Sequence, residues 1–396
     1  MRVLKITDVY FPRVNGVSTS IRTFRRELAA AGHEVTLVAP DYGEATDDED
    51  GIIRIPSRTV VVDPEDRMMK MNKIMALCEE LASRQFDLVH IHTPFVAHYA
   101  GLRLARALGI PAVETYHTYF EEYLFNYVRW LPRGWLRWLA RGFSRRQCNS
   151  VDAVVVPSYP MRDVLEIYGV SNSMKVIPTG IDLAEFAEGD GRQFRRINGI
   201  GAERRVLVFV GRLAFEKNIH FLIDVVDALK HRYPDILLLL AGEGPARKNL
   251  ESVVEARGLQ GNVVFIGNLS RGVALNDCYA AGDVFVFASR TETQGLVLLE
   301  AMALGVPVVS TAVMGTRDVL VDGCGCMIAE ETVNSFADKI TWLLENPARR
   351  GLLAESGMRY VEEWAAANMA DRMVGLYARI TAREAPISDE VVFEES

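Results

Sequence analysis

The sequence has no uninterrupted apolar stretch long enough to span a bilayer, so a transmembrane helix is not expected and any membrane contact would be made at a surface. Its first residues, Met1 to Ile6, run straight into a strand-like segment followed by Asp8. They hold neither a long apolar core nor a small-residue cleavage site, so a secretory signal is not expected. Cysteine is scarce. The five thiols (Cys78, Cys148, Cys278, Cys324, Cys326) form neither a zinc pattern nor a disulfide framework, and Cys324-Gly325-Cys326 is too close for a usual metal pair. Reduced thiols in a cytoplasmic protein are the expectation. An excess of positive charge is also missing: the formal net charge is -8, which argues against nucleic acid as the main partner while leaving room for a local basic patch. Finally, the first strand–helix loop lacks the triple-glycine dinucleotide fingerprint, which gives nicotinamide binding little support.

What is present is a long soluble α/β pattern. At 396 residues, with 49% hydrophobic and 24% charged residues, the chain exceeds one typical core and two domains are expected. In the first half, apolar strands at Val3–Val9, Glu34–Ala39, Ile52–Ile55, Phe86–His92, Ala112–Tyr119 and Val151–Val156 alternate with helical lengths, among them Val17–Ala31 and Met68–Ser83. The acidic run Asp41–Asp50 reads as a solvated loop rather than a metal site. The second half repeats the pattern with short continuous apolar strands, the signature of a parallel sheet covered on both faces. The organisation read from this is two Rossmann-like parallel-sheet domains facing a central cleft. Residues 1–185 form the first domain, 186–204 a linker, 205–360 the second domain, 361–380 a helix packing back on the first, and 381–396 a tail.

The strongest chemical signal is Ser289–Leu304, SRTETQGLVLLEAMAL, which follows the apolar run Val284–Ala288 and opens a helix. Glu292 and the backbone N–H groups of Thr293, Gln294, Gly295 and Leu296 are expected at the helix mouth, with Glu300 about two turns along. Such a mouth can hold an anionic group flanked by hydroxyl-rich ones; the competing reading is a surface turn with one satisfied glutamate. Gly211-Arg212-Leu213 and Glu216-Lys217 lie between another strand and helix, where two cations add to a helix N-terminal field and suit a diphosphate. Gly242-Glu243-Gly244 and Gly267 end the next two strands. In the first half, Glu114–Tyr119 would place His117 at the carboxyl edge of the sheet, where open α/β folds bind ligands, either reaching a sugar hydroxyl or packed under a loop. His90 and His92 share one side of their strand, and His92 and His98 read more readily as packed side chains. Gly16 lets backbone approach a ligand phosphate or simply serves the turn.

One further segment stands out. Arg129–Arg146 carries six arginines and no acid, and Arg133, Arg137, Arg141 and Arg145 recur every four residues as a basic stripe on a helix expected over 133–147. Trp135, Leu136, Trp138, Leu139 and Phe143 lie beside it. Tryptophan with arginine suits the headgroup zone of an anionic bilayer. The alternatives are a helix that buries its aromatics and shows arginines to water, and, more weakly, RNA binding.

Taken together, Asn15-Gly16, Gly211-Arg212-Leu213 with Glu216-Lys217, Gly242-Glu243-Gly244 and Glu292 with Glu300 resemble the retaining glycosyltransferase family 4, of GT-B fold, over almost the whole chain. The resemblance implies a second domain that binds a nucleotide sugar and a first that presents the acceptor. It implies Arg212 and Lys217 as a diphosphate clamp, Glu300 on the ribose, Glu292 and His117 beside the transferred sugar, and Gly16 near the phosphates. Asn15 stands where the family commonly has the first of two glycines. The forms Thr291–Leu296 and Thr115–Tyr119 with Glu122-Tyr123 look more like diacylglycerol and related glycolipid glucosyltransferases. The implied activity is retaining transfer of a hexose, glucose from UDP-glucose, to a membrane lipid such as diacylglycerol, without a required divalent metal. The implied location is the inner face of the cell membrane. Alternatives are a lipopolysaccharide or polysaccharide glycosyltransferase using a UDP-sugar or GDP-mannose, and a non-catalytic sugar-nucleotide or polyanion binder.

Overall fold

The computed structural model describes residues 1–43, 50–59, 67–117 and 133–382. The sequence readings on Thr118, Tyr119, Glu122, Tyr123, Arg129 and Trp130 lie outside the described residues. The chain divides into two compact units, one formed by Met1–Val156, Arg162–Ile177 and Ala370–Ser396, the other by Pro157–Met161 and Pro178–Met369.

The first unit is built on strands β1 (Arg2–Ile6), β2 (Glu34–Pro40), β3 (Ile52–Ile55), β6 (Leu88–Ile91), β7 (Ala112–Thr115), β8 (Ala153–Val156) and β9 (Met174–Val176). All pair in parallel, in the order β3-β2-β1-β6-β7-β8-β9. Chain order reverses between β1 and β6, the place where doubly wound sheets open a crevice. β1 is shorter than its apolar run suggests because Thr7 turns the chain: its hydroxyl donates to the Val9 carbonyl at 2.9 Å. The helix Gly16–Ala30 follows, started by Asn15, whose side-chain oxygen accepts from the Ser18 N–H at 2.8 Å. The single helix expected over Met68–Ser83 is instead a strand and two short helices. β5 (Arg67–Met69) pairs antiparallel with β4 (Ser57–Thr59), and the helices Met71–Met75 and Cys78–Ser83 follow.

The second unit carries β10 (Val206–Val210), β11 (Leu237–Ala241), β12 (Val263–Gly267), β13 (Val284–Phe287), β14 (Val308–Ser310) and β15 (Cys326–Ile328). They pair in parallel in the order β12-β11-β10-β13-β14-β15. β10, β11 and β13 are buried at every position, as their unbroken Val, Leu and Phe runs require of a sheet covered on both faces. Here too the order reverses at the first strand, between β10 and β13. The stretch 186–204, read from sequence as a linker, holds the helix Gly191–Ile197, and its Phe194 is buried in this unit's core. The terminal helical stretch is interrupted at Ala365, after which a separate helix, Ala366–Thr381, begins. All five cysteines are unpaired thiols. Among the described residues no helix is long and apolar enough to cross a membrane.

Candidate functional site

Two polar clusters lie at strand ends, one in each unit. In the second unit, β10 and β13 are sheet neighbours, so the loops leaving their carboxyl ends must meet. The β10 loop turns through Phe215–Lys217, and the Glu216 carbonyl accepts from the Arg290 N–H at 3.4 Å. This brings Lys217 into a direct ion pair with Glu292, both half-buried. The Glu292 carbonyl is held in turn by the Gly315 N–H at 2.9 Å. Arg212, on the same loop, is exposed. At the ends of β11 and β12, Gly242 has φ +138°, and a Cβ there would stand 2.0 Å from the Gly211 carbonyl oxygen. Only glycine lets these two loops touch. The Gly242 N–H donates to the Gly267 carbonyl at 2.8 Å, so Gly211, Gly242 and Gly267 form one continuous backbone rim.

The helix after the glutamate loop begins at Leu296, one residue beyond Gly295, which takes φ +102°. It starts later than the motif suggested, so Glu300 lies little more than one turn in rather than two. Among the described residues, the N–H groups of Thr293, Gln294, Gly295 and Leu296 have no hydrogen-bond acceptor within the chain. They are open donors of the kind that hold anions. The Gln294 side chain, by contrast, is buried and committed elsewhere. Its Oε1 accepts from the Thr179 N–H at 2.8 Å and its Nε2 donates to the Thr179 carbonyl at 2.7 Å, so only its backbone is available to a ligand. Glu300 is buried at 4% exposure. The Tyr279 hydroxyl donates to its Oε2 at 2.7 Å, and the Arg271 guanidinium donates to its Oε1 at 3.3 Å. Burial, then the adjacent Glu300 charge, hold the Tyr279 phenol well above its ordinary value, so it stays a donor. Arg271 also bonds Glu185 at 3.0 Å. Neither Arg271 nor Tyr279 was singled out from sequence, because neither lies in a glycine or glutamate motif.

In the first unit, His90 and His92 project from one side of β6 with ring centroids 4.2 Å apart. His90 Nδ1 meets the Tyr377 hydroxyl at 2.5 Å and its Nε2 meets the Thr115 hydroxyl at 2.7 Å. His92 Nδ1 lies 3.1 Å from Nε2 of His117, which follows β7 and keeps some accessible surface. Burial first, and the Lys5 ammonium second, lower His117 to about 3. Burial likewise puts His90 and His92 well below the ordinary range. Lys5 itself, in the centre of β1, is fully buried, and burial with the nearby Arg25 charge lowers it to about 7. Across the chain-order reversal, Asp8 Oδ2 accepts from the Thr93 hydroxyl at 2.9 Å and the Ala97 N–H at 3.0 Å. Burial, only partly opposed by these bonds, raises Asp8 to about 7. His98 is packed, as expected, against Glu114 at 3.2 Å. The motif signal was in the sequence for His117 alone; Lys5 is visible there only as a cation inside an apolar run. Gly16 opens its helix with no atom of the described residues within 4 Å of a would-be Cβ.

The helix Arg133–Cys148 buries Leu136, Ala140, Ser144 and Gln147 on the first unit, with the Ser144 hydroxyl 2.8 Å from that of Tyr116. Leu136 therefore belongs to the packed side rather than to the surface read beside the arginines, and Phe143 is half-buried. Trp135 and Trp138 are 69% and 71% exposed, and Leu139 joins them at 45%. Arg137 and Arg145 are exposed, and Arg141 lies over the Tyr168 ring at 5.3 Å.

Residues 190–359 match the family of glycosyl transferases group 1, and residues 14–185 match glycosyltransferase family 4. The chain is 37% identical over 329 residues to an alpha-monoglucosyldiacylglycerol synthase of Streptococcus pneumoniae, spanning 78% of this chain and 71% of the relative. It is 28% identical over 406 residues to a GDP-mannose-dependent alpha-mannosyltransferase of Mycolicibacterium smegmatis, spanning 97% of this chain and 98% of the other. Among solved structures, the sucrose-phosphate synthase of Thermosynechococcus elongatus superposes with a TM-score of 0.78 at 21% identity, covering 97% of this chain and 100% of that one. That last likeness speaks to the fold.

Proposed function

The chain belongs to the group 1 and family 4 glycosyltransferases of GT-B fold, which move a sugar from a nucleotide sugar to an acceptor, and from that premise we propose how its residues divide the work. The observation that carries the reading is the meeting of Lys217 and Glu292 at the β10–β13 junction, on the loop that also carries Arg212 and beside the open N–H groups of Thr293 to Leu296. Cations, helix-start donors and a glycine rim at Gly242 and Gly267 together suit a nucleoside diphosphate. Arg212 and Lys217 take the diphosphate, Glu292 lies beside the transferred sugar, and Glu300, aimed by Tyr279, takes the ribose hydroxyls. Negative charge grows on the leaving phosphate as the sugar departs, and fixed cations and N–H donors stabilise that charge as it develops. The acceptor hydroxyl attacks from the face that the leaving group vacates, the departing phosphate oxygen takes its proton, and configuration is retained. His117 hydrogen-bonds the transferred sugar, and Gly16 leaves room for the phosphates.

The donor is a UDP-linked sugar or GDP-mannose, and the acceptor a glycan or a glycolipid. The end-to-end likeness to a GDP-mannose-dependent enzyme favours this breadth. A narrower second reading, glucose from UDP-glucose onto diacylglycerol, draws on the 37% identity to a glucosyldiacylglycerol synthase. On either reading the exposed Trp135, Trp138 and Leu139, with Arg133, Arg137, Arg141 and Arg145 on the same helix, dock the enzyme peripherally on the anionic inner face of the membrane. The test is a screen of GDP-mannose, UDP-glucose, UDP-galactose and UDP-GlcNAc, each with diacylglycerol or a glycolipid in anionic vesicles. Nucleotide release from one donor with a glycosylated lipid product is expected. Release stimulated only by a soluble glycan would move the acceptor off the membrane, and no release from any donor would overturn the reading.

A further inference from the structure

His90, His92 and His117, at the strand ends of the first unit, divide into two hydrogen-bonded sets, and their geometry constrains His117. His90 is fixed at both ring nitrogens, by Tyr377 at 2.5 Å and Thr115 at 2.7 Å. Its ring packs at 4.2 Å from that of His92, tilted by 30°, and so sets the plane in which His92 can lie. His92 is 2% exposed, and its one hydrogen bond among the described residues runs from Nδ1 to Nε2 of His117 at 3.1 Å, with the two ring planes 25° apart and their centroids 5.4 Å apart. The other nitrogen of His92, Nε2, is buried without a partner among the described residues.

Each ring is neutral, since burial and the Lys5 charge both disfavour an imidazolium. A neutral imidazole carries one N–H, so the His92–His117 bond must point one way or the other. If His92 carried its proton on Nε2, a buried N–H would be left without an acceptor. If the proton is on Nδ1, what is left over is only a lone pair. Orphaned buried donors are rarer and more costly than under-used acceptors.

We infer that His92 is a positioning residue whose Nδ1–H donates to His117 Nε2, fixing His117 as the tautomer that presents Nδ1–H to the sugar. His117 Nδ1 makes no hydrogen bond with the described residues, so that donor remains available. His117 then orients a sugar hydroxyl by donation and does not remove a proton, in keeping with a reaction in which the leaving phosphate accepts the acceptor's proton. The role assigned toward the sugar rests on the proposed function; the tautomer does not.

The experiment reads both. Long-range ¹H–¹⁵N spectra of the full chain labelled at histidine, with the His117 signals assigned from a His117→Gln sample, should show a pyrrole-type Nδ1 and a pyridine-type Nε2. A pyrrole-type Nε2 would overturn the inference on the wild-type protein alone, whatever the variants do. His92→Phe should populate both His117 tautomers and lower kcat on the order of ten-fold, the worth of one neutral hydrogen bond, with donor KM nearly unchanged. His92→Asn, whose amide N–H sits where Nδ1–H does, should keep the single tautomer and recover most of that loss. Equal tautomers and equal kcat in the Phe and Asn variants would refute the positioning role. Wild-type transfer by His117→Ala, with the tautomer as stated in the parent, would instead remove His117 from the sugar while leaving the His92 hydrogen bond established.

Discussion

Replacing Lys5 with methionine should stabilise the first unit at neutral pH. Lys5 is fully buried between β2 and β6, its ammonium has no hydrogen-bond partner among the described residues, and it lies over the Phe24 ring at 5.5 Å. Burial, reinforced by Arg25, lowers it from 10.5 to about 7. The sign follows from proton counting. Between those two values the unfolded chain holds the lysine proton and the folded chain does not, so stability rises with pH across that window. Below about 7 both states are protonated and the penalty is at its full size. The gap of about 3.5 pH units, at 1.36 kcal/mol each, is roughly 5 kcal/mol, or about 4 kcal/mol at pH 7, where the folded group is half-charged. Methionine keeps much of the stem's volume and gives up the cation–π contact, about 1–2 kcal/mol when desolvated. A net gain of roughly 2–3 kcal/mol remains, about 5–10 °C in the melting temperature of a domain of this size. Calorimetry of parent and Lys5→Met at pH 7 and pH 10 checks it: the gain should be large at pH 7 and nearly gone at pH 10. An equal gain at both pH values would mean that packing, not charge burial, is responsible. A lowered melting temperature at pH 7 would refute the reasoning altogether.

Three further outcomes are expected. Glu292→Gln should cut transfer by about 100-fold or more, as loss of a charge aimed at the reacting centre does, with a melting temperature near that of the parent because the partner Lys217 is not fully buried; steady-state transfer of wild-type rate would remove Glu292 from the site. Gln294→Leu should destabilise the second unit by roughly 2–4 kcal/mol, since it breaks two buried hydrogen bonds to the Thr179 backbone; an unchanged thermal melt would show that water replaces the amide. Trp135→Ala with Trp138→Ala should weaken flotation with anionic vesicles by at least ten-fold while donor hydrolysis in detergent persists, because each exposed indole presents a large apolar area suited to the headgroup zone; undiminished flotation would refute docking through this helix.

The sequence was most informative where chemistry is local. The continuous apolar runs of β10, β11 and β13 are those of a doubly covered parallel sheet; Gly242 sits where a touching carbonyl leaves no room for a Cβ, and Gly295 takes a left-handed φ of +102°. Motif spacing put Lys217 and Glu292 on two loops; it took the adjacency of β10 and β13 to pair them. Gln294 shows the limit of such spacing. Spacing offered its backbone N–H to a ligand and said nothing of its side-chain amide, which matches the N–H and carbonyl of a single residue, Thr179, over a hundred positions earlier. The Met68–Ser83 helix failed for a similar reason: helical periodicity is a local preference, and Arg67–Met69 found a partner strand in Ser57–Thr59 that outweighed it.

Lys5 and His92 were the least legible, and they are linked. Nothing in Val3-Leu4-Lys5-Ile6 says that the lysine will stand beside His90, yet parallel register pairs them directly. Once it does, one buried cation helps to keep three histidines neutral, and neutrality is what forces the His92–His117 hydrogen bond to have a direction. A residue that costs the fold stability thereby makes the polar cluster at the strand ends more sharply defined. Methionine at position 5 separates the two effects. Burial is the larger cause of the low histidine values, so the rings should remain neutral and the His117 tautomer should survive even as the unit becomes more stable. If the tautomer is lost with the charge, Lys5 rather than burial sets the protonation of the cluster.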